Sequence, residues 1–157
     1  MRIFLFLLAL IFVAGCAEFP NLPSFTQGEE WHRAEFSEFV FSLPPGFGKF
    51  GAGNMGPAMA QYTNENMIIT FDGGATAGDR LDALSKFKNY QSHMEVIHGK
   101  GVQMVTFDIP PGPGHRFDNA IAASYRGIGL TLYVHCRTKD DYATATEIFK
   151  TVRFKLF

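Results

Sequence analysis

The sequence predicts an α+β fold in which helices flank an antiparallel β-sheet. Short apolar runs alternate with polar residues at a period of two, which is typical of strands that bury one face. Turn-forming glycine, asparagine and proline residues separate these runs, so neighbouring strands are expected to pair as hairpins. Two stretches have helical spacing instead. Together these observations predict about seven or eight strands and two helices.

The first half of the domain contains three predicted strands and a short amphipathic helix. Phe39 and Phe41 share one face of the first strand, which the Pro44-Pro45-Gly46 turn ends. A glycine-rich loop follows over Gly46–Pro57, and Asn64-Glu65-Asn66 supplies the turn between the next two strands. The predicted strands are residues 36–43, 58–64 and 66–72, and the helix is residues 79–87.

The second half contains two hairpins, the longer helix and a closing strand. Gly99-Lys100-Gly101 and Gly127-Ile128-Gly129 supply the hairpin turns, and an exposed Pro/Gly loop lies between the hairpins at residues 110–114. Asp140 and Asp141 favour the N-terminus of the helix, where the helix dipole stabilises negative charge. The predicted strands are 91–98, 102–109, 119–126, 130–138 and 151–157, and the helix is 139–150.

The N-terminus has the pattern of an export signal. Ile3–Phe12 carries no polar side chain, but it is about half as long as a helix that crosses a ~30 Å hydrocarbon core. Val13-Ala14-Gly15-Cys16 follows and resembles the lipobox of bacterial lipoproteins, although leucine is commoner than Val13 at its position. The resemblance implies a diacylglyceryl group on Cys16 and cleavage before it. The alternative is an ordinary secretory signal with an incidental cysteine.

This resemblance divides the chain into three parts and locates it in the cell. Residues 1–15 are the expected signal peptide, 16–33 the lipidated cysteine and a proline-containing tether, and 34–157 a single globular domain. Lipid on Cys16 anchors the protein to a membrane of the bacterial cell envelope. Ala17, rather than an aspartate, follows Cys16 and favours the outer membrane, facing the periplasm.

Charge and cysteine content argue against a nucleic-acid-binding protein and against a disulfide-stabilised scaffold. The net charge of −1 becomes −2 once Arg2 is removed with the signal, so no nucleic-acid partner is expected. Cys136 has no intramolecular partner if Cys16 is lipidated, so the domain is not a disulfide scaffold. Strand alternation places Cys136 on the core face and His135 on the opposite face, which predicts a buried thiol rather than a catalytic one.

Four short motifs, taken in order, resemble the Mog1/PsbP-like group of domains. They are Phe41-Ser42-Leu43-Pro44-Pro45-Gly46-Phe47, Ile69-Thr70-Phe71-Asp72-Gly73-Gly74, Val96-Ile97-His98-Gly99-Lys100-Gly101-Val102, and the segment from Ala145 to Phe154. The resemblance covers most of residues 36–157 and implies an α/β/α sandwich. The group includes small bacterial lipoproteins, and its members are mostly binding or accessory proteins without shared catalytic residues.

No catalytic, cofactor or metal site is expected from the residue patterns. In the glycine-rich loop Phe50 follows Lys49, where a phosphate loop needs Ser or Thr, and a strand follows in place of a helix. The five histidines lack the spacing of metal ligands. Three aspartates that follow or precede strands are candidates for acid/base chemistry, although solvated turn aspartates are commoner. They are Asp72, Asp108 and Asp118.

One strand face is a candidate contact surface. Thr131, Tyr133, His135 and Arg137 alternate with the core residues of the strand at 130–138, and this mixture suits a protein contact. Two alternatives to a contact surface are that a helix covers this face, or that the face is an ordinary solvated side of the sheet.

The sequence therefore predicts a lipid-anchored envelope accessory protein that binds another envelope protein and is not an enzyme. Two other functions stay open. The phenylalanine-rich interior fits a carrier or sensor of a small apolar ligand, and His135 or the aspartates fit an envelope hydrolase.

Overall fold

The structure is a computed structural model that describes residues 30–50, 59–73, 81–113 and 115–155. The expected signal peptide, the lipobox-like segment with Cys16, the expected tether up to residue 29 and residues 51–57 of the glycine-rich loop lie outside this part of the chain. The first two residues of the helix expected at 79–87 and the last two of the strand expected at 151–157 lie outside it as well.

The described residues form ten strands, one α-helix and one 3₁₀ helix. The strands are β1 (His32–Phe36), β2 (Phe39–Leu43), β3 (Gly48–Phe50), β4 (Met59–Thr63), β5 (Met67–Asp72), β6 (Gln91–Ile97), β7 (Lys100–Asp108), β8 (Asn119–Tyr125), β9 (Leu130–Cys136) and β10 (Arg153–Phe154). The α-helix α1 is Asp141–Thr151 and the 3₁₀ helix is Leu81–Lys86. The first strand pairing starts at His32, two residues before the predicted start of the domain.

The strands form two antiparallel sheets. The central sheet has the order β3-β4-β5-β9-β8-β7-β6, and a small sheet has the order β1-β2-β10. The hairpins predicted around residues 64–66, 99–101 and 127–129 are present as β4–β5, β6–β7 and β8–β9, with the second turn at His98 and Gly99. The predicted antiparallel sheet is therefore confirmed.

Two predicted strands are shorter than expected, and one further strand forms in a segment expected to be a loop. The strand predicted at 36–43 is confirmed over Phe39–Leu43 as β2, and it starts later than expected because Ser37 adopts a positive φ of 51° in the turn between β1 and β2. Residues 48–50 of the glycine-rich loop form β3, which pairs with β4. The closing strand shrinks to β10, because α1 continues to Thr151 before the chain becomes extended.

One face of the central sheet is covered jointly by the small sheet and α1. Phe41 of β2 stacks on Phe71 of β5 with ring centroids 4.0 Å apart, and both side chains are fully buried. Tyr62 meets both rings edge-on. From α1, Ile148 and Phe149 complete this core. Close aromatic packing of this kind couples the two sheets.

Both ends of α1 are hydrogen-bonded to the rest of the domain. The Asp141 carboxylate accepts bonds from the backbone N–H and the hydroxyl of Thr138, 2.9 and 3.0 Å away. At the other end, the Tyr125 hydroxyl donates to the Phe149 carbonyl, and His98 Nε2 lies 2.7 Å from the Lys150 carbonyl. Carbonyls of the last turn, which have no partner within the helix, are thereby satisfied.

The opposite face of the central sheet is covered by residues 81–90. Leu81 is buried in a second apolar cluster with Val105 and Phe107, and Leu84 and Phe87 pack against it. The helix predicted at 79–87 is a six-residue 3₁₀ helix, Leu81–Lys86, in place of an α-helix. The expected α/β/α sandwich is thus matched only in part, because one outer layer combines a sheet with α1 and the other is this short segment.

The Phe41–Phe71 stack should dominate the stability of the domain. We expect Phe41→Ala to lower the free energy of unfolding by about 3–5 kcal/mol, because it opens a cavity between the two sheets. Phe50→Ala is the matched control, since Phe50 is 57% exposed on β3 and its loss should change stability by less than about 0.5 kcal/mol. Denaturant unfolding measures both values, and equal losses would contradict this description of the core.

Candidate functional site: a cleft at the end of the central sheet

A cleft of about 450 Å³ opens at the end of the central sheet where β7 finishes and β8 begins. It is bounded by residues from three segments of the chain. These are Lys86, Phe87, Lys88, Asp108, Ile109, Pro110, Pro111, Asp118 and Asn119. We call this the end cleft. Its volume falls in the range of small-ligand pockets, and its open shape also suits one side chain of a partner protein.

The apolar part of the end cleft is held rigidly by the second apolar cluster. The Phe87 ring stacks on Phe107 with centroids 5.2 Å apart and an angle of 17° between the planes. The backbone N–H of Asp108 donates to the Lys88 carbonyl at 2.8 Å, which ties residues 81–90 to the end of β7. The backbone N–H of Ile109 donates to the Asp118 carbonyl at the same distance. The lining is therefore preorganised on both sides.

The carboxylate of Asp108 is already paired within the protein. The Asn89 side-chain amide donates to one oxygen, and Lys139 Nζ lies 3.3 Å from the other. The hydrogen bond from Asn89, assisted by the Lys139 charge, lowers the pKa of Asp108 against the opposing effect of desolvation. Asp108 is thus ionised at neutral pH and serves to connect residues 81–90 with the start of α1.

Two exposed lysines line the end cleft, and the charge of Lys88 also contributes to lowering the pKa of Asp108. Lys86 and Lys88 are exposed, and neither forms an ion pair with another residue of the described segments. Lys86 Nζ lies 5.7 Å from the centre of the Phe87 ring. The cleft therefore combines an apolar wall with two exposed lysines and two carboxylates, and of the carboxylates Asp108 is bound by Asn89 and Lys139.

The predicted contact surface on β9 is largely covered. Thr131 is fully buried, and Tyr133 is half-buried against the second apolar cluster. His135 is half-buried as well, whereas Arg137 is exposed. The covering element is the segment 81–90 rather than α1, which packs on the opposite face. Only the Arg137 end of this predicted surface is open.

Arg137 lies next to the end cleft. The Asn119 side-chain amide, which lines the cleft, donates to the Arg137 carbonyl at 3.2 Å. The Arg137 backbone N–H donates to the Asn66 carbonyl, which holds the end of β9 in place beside β5. The backbone of Arg137 is therefore held beside Asn119, one of the residues that line the end cleft.

His135 and Cys136 do not form a nucleophile–base pair. Cys136 is fully buried in the core shared with α1, and burial raises the pKa of its thiol to about 12. His135 is on the other face of the strand, as alternation predicts. Burial, with a smaller effect of His115, lowers the pKa of His135. At neutral pH the thiol is protonated, so the prediction of a buried structural cysteine is confirmed.

The structure brings two of the three candidate aspartates together. Asp108 and Asp118 both line the end cleft, whereas Asp72 pairs with Met59 and Thr131 towards the other end of the sheet. Across the described ranges, no three acidic, histidine or cysteine side chains are grouped in a way that could hold a metal ion.

The arrangement of strands around α1 is that of a PsbP-like domain. The solution structure of cyanobacterial PsbP (CyanoP) from Synechocystis sp. PCC 6803 matches with a TM-score of 0.50, and the match covers 87% of this chain and 98% of that one. The two sequences are 8% identical, so the likeness concerns the fold. No family model and no curated protein matches the sequence. Among the helices of the described residues, none has the length and apolar character needed to cross a membrane.

Sequence reasoning did not identify the end cleft. Its walls come from residues 86–88, 108–111 and 118–119, which are joined only when segment 81–90 folds over the sheet. The available signal was the Pro/Gly run, which we expected to be an exposed loop and which supplies Pro110 and Pro111 to the rim.

His135 should make the domain less stable in mild acid. Its pKa is lowered in the folded state, so the unfolded chain binds more protons once the pH falls below the ordinary histidine pKa of about 6.5. Stability is therefore fully present above that pH and is lost as the pH falls towards the lowered folded value. We expect His135→Gln to lose less stability than the wild type between neutral and mildly acidic pH.

Denaturant unfolding at a series of pH values measures this difference. The exposed His32 provides the control, because His32→Gln should follow the wild-type curve. Parallel curves for the wild type and His135→Gln would contradict the assigned burial of His135.

Proposed function

We propose that this protein is a lipid-anchored accessory protein of the bacterial cell envelope, and that it binds another envelope protein at the end cleft. The end cleft is the observation that carries the binding part of the proposal. It is a preorganised, solvent-open site in which apolar and charged groups converge, and such sites are the default location for ligands.

The membrane part of the proposal rests on the N-terminal sequence. The apolar run Ile3–Phe12 followed by Val13-Ala14-Gly15-Cys16 supports lipidation of Cys16, and Ala17 supports sorting to the outer membrane. The chain between Cys16 and β1 is about fifteen residues long and contains Pro20 and Pro23. A tether of this length would let the domain reach a partner near the membrane surface.

The chemistry of the end cleft indicates what part of a partner it would bind. An apolar side chain fits against Phe87, Ile109 and the two prolines, where its burial removes nonpolar surface from water. A neighbouring carboxylate would face Lys86 and Lys88. We therefore propose a partner segment that presents an apolar residue beside an acidic one.

A small organic acid with an apolar body is the second candidate ligand. The volume of about 450 Å³ is large enough for such a molecule, and the same lysines would bind its carboxylate. This ligand corresponds to the carrier or sensor function that the composition left open.

Removal of the lipidation site should release the protein from membranes. We expect Cys16→Ser to move the protein from the membrane fraction to the soluble fraction, because the acyl chains supply the binding free energy. Cys136→Ala is the matched control: it removes the other cysteine and should leave the protein with the membranes. Retention of the Cys16→Ser variant on membranes would contradict the lipid anchor.

Charge reversal at the end cleft should abolish partner binding. We expect the double variant Lys86→Glu/Lys88→Glu to recover at least about tenfold less partner than the wild type after crosslinking in cells and mass spectrometry. The double variant Lys49→Glu/Lys100→Glu is the control, since both lysines are exposed and lie outside the cleft lining.

Equal recovery from both double variants would contradict the proposed site. A small molecule that purifies with the wild type and is lost from the cleft variant would instead support the carrier function.

A further inference from the structure

Strand β6 is the edge of the central sheet and is unusually open for an edge strand. Its outer side pairs with no other strand among the described residues. Met94 and Val96 are 54% and 74% exposed, and both project from the face on which Gly101 and Gln103 of β7 lie. The strand contains no proline and one acidic residue, Glu95. Such an edge is a template for pairing with a further strand.

The hairpin turn determines which backbone groups of β6 face outwards. His98 and Gly99 form a two-residue turn with positive φ values of 49° and 74°, so the flanking pair Ile97–Lys100 is hydrogen-bonded. Because hydrogen-bonded and non-hydrogen-bonded pairs alternate, Ser92, Met94 and Val96 direct their N–H and C=O groups to the free edge. The Gly101 carbonyl, opposite Val96, accepts from the Arg126 N–H beyond β8, which agrees with this assignment.

We propose that β6 pairs in antiparallel fashion with β6 of a second copy of this chain, on a two-fold axis through Met94. Met94 is the central residue of Gln91–Ile97, so this register pairs all seven residues of each strand. Met94 is also one of the residues whose backbone groups face the free edge. It can therefore form a hydrogen-bonded pair with Met94 of the second copy.

Side-chain chemistry favours this register over its neighbours. The register places His93 opposite Glu95 of the second copy, and Glu95 opposite its His93, in two complementary pairs. A shift that centres the axis on Glu95 would set two carboxylates opposite each other, and a shift that centres it on His93 would place each Glu95 opposite Gln91 of the second copy in place of a histidine. Directly opposed like charges destabilise a sheet, whereas cross-strand side chains that can hydrogen-bond stabilise it.

The same register also covers the exposed apolar side chains. Met94 meets its own counterpart, and Val96 of the second copy lies diagonally beside it, within reach of a long side chain. The exposed methionine and valine of both copies thus form one apolar cluster at the junction of the two sheets, on the face that carries Gln103 and residues 81–90.

Disulfide trapping tests the pairing and its register. Met94→Cys should give a covalent dimer under mild oxidation, because opposed Cα atoms in a hydrogen-bonded antiparallel pair are about 5.5 Å apart, within the range for a disulfide. Ser92→Cys is the matched control on the same edge. In the proposed register, Ser92 lies opposite Val96 of the second copy, which is four residues along the strand from that copy's Ser92. The Cα atoms of the two residues 92 are therefore roughly 13 Å apart along the strands, and this variant should give no dimer.

The experiment uses the full-length chain, purified and in intact cells, with the wild type as background for the native Cys16 and Cys136. A folded Met94→Cys variant that stays monomeric, or equal dimer yields from the two variants, would overturn the proposal.

Charge exchange provides a second test that does not depend on an introduced cysteine. We expect Glu95→Lys to weaken self-association in sedimentation equilibrium by about tenfold, because both His93–Glu95 pairs across the axis are lost. Addition of His93→Glu to this variant should restore association, since each introduced glutamate then faces the introduced lysine of the other copy. Failure of the double variant to recover would overturn the proposed register.

Discussion

The structure depends on the need to bury both faces of strands β8 and β9. Residues 120–125 of β8 are buried without interruption, and on β9 Thr131 is buried beside Leu130 and Leu132. A sheet with two buried faces requires a cover on each side. The small sheet and α1 cover one face through the Phe41–Phe71 stack, and the segment 81–90 covers the other through Leu81 and Phe87.

The end cleft lies where the second cover meets the end of β7. Residues 81–90 pack on the second apolar cluster, which includes side chains of β7, β8 and β9, and the backbone N–H of Asp108 donates to the Lys88 carbonyl and joins this cover to the end of β7. The space beyond that bond is bounded by the Pro110-Pro111 turn and opens to solvent. The element that stabilises the sheet therefore also forms the wall of the proposed binding site, which explains why Asp108 is tied so firmly to Asn89 and Lys139.

Local signals predicted the hairpins and α1, whereas long-range packing decided the rest. Asn64-Glu65-Asn66 and the glycines near 99 and 127 specify turns between adjacent strands, and period-two alternation placed Cys136 in the core. Ser37 is an uncommon residue at positive φ, so the β1–β2 turn gave no comparable signal. Alternation alone predicts that the strand face carrying Tyr133 is exposed to solvent. Its cover is a segment more than forty residues away, which a pattern within one strand cannot reveal.

Site-specific photo-crosslinking from the end cleft tests the central claim most directly. A photoreactive side chain would replace Pro111 at the cleft rim and, in a separate variant, Glu38 in the exposed β1–β2 turn. Illumination of intact cells should attach one defined envelope protein to position 111 and none to position 38. The same adducts from both positions, or none from position 111 in a correctly folded and membrane-bound protein, would contradict a partner site at the end cleft.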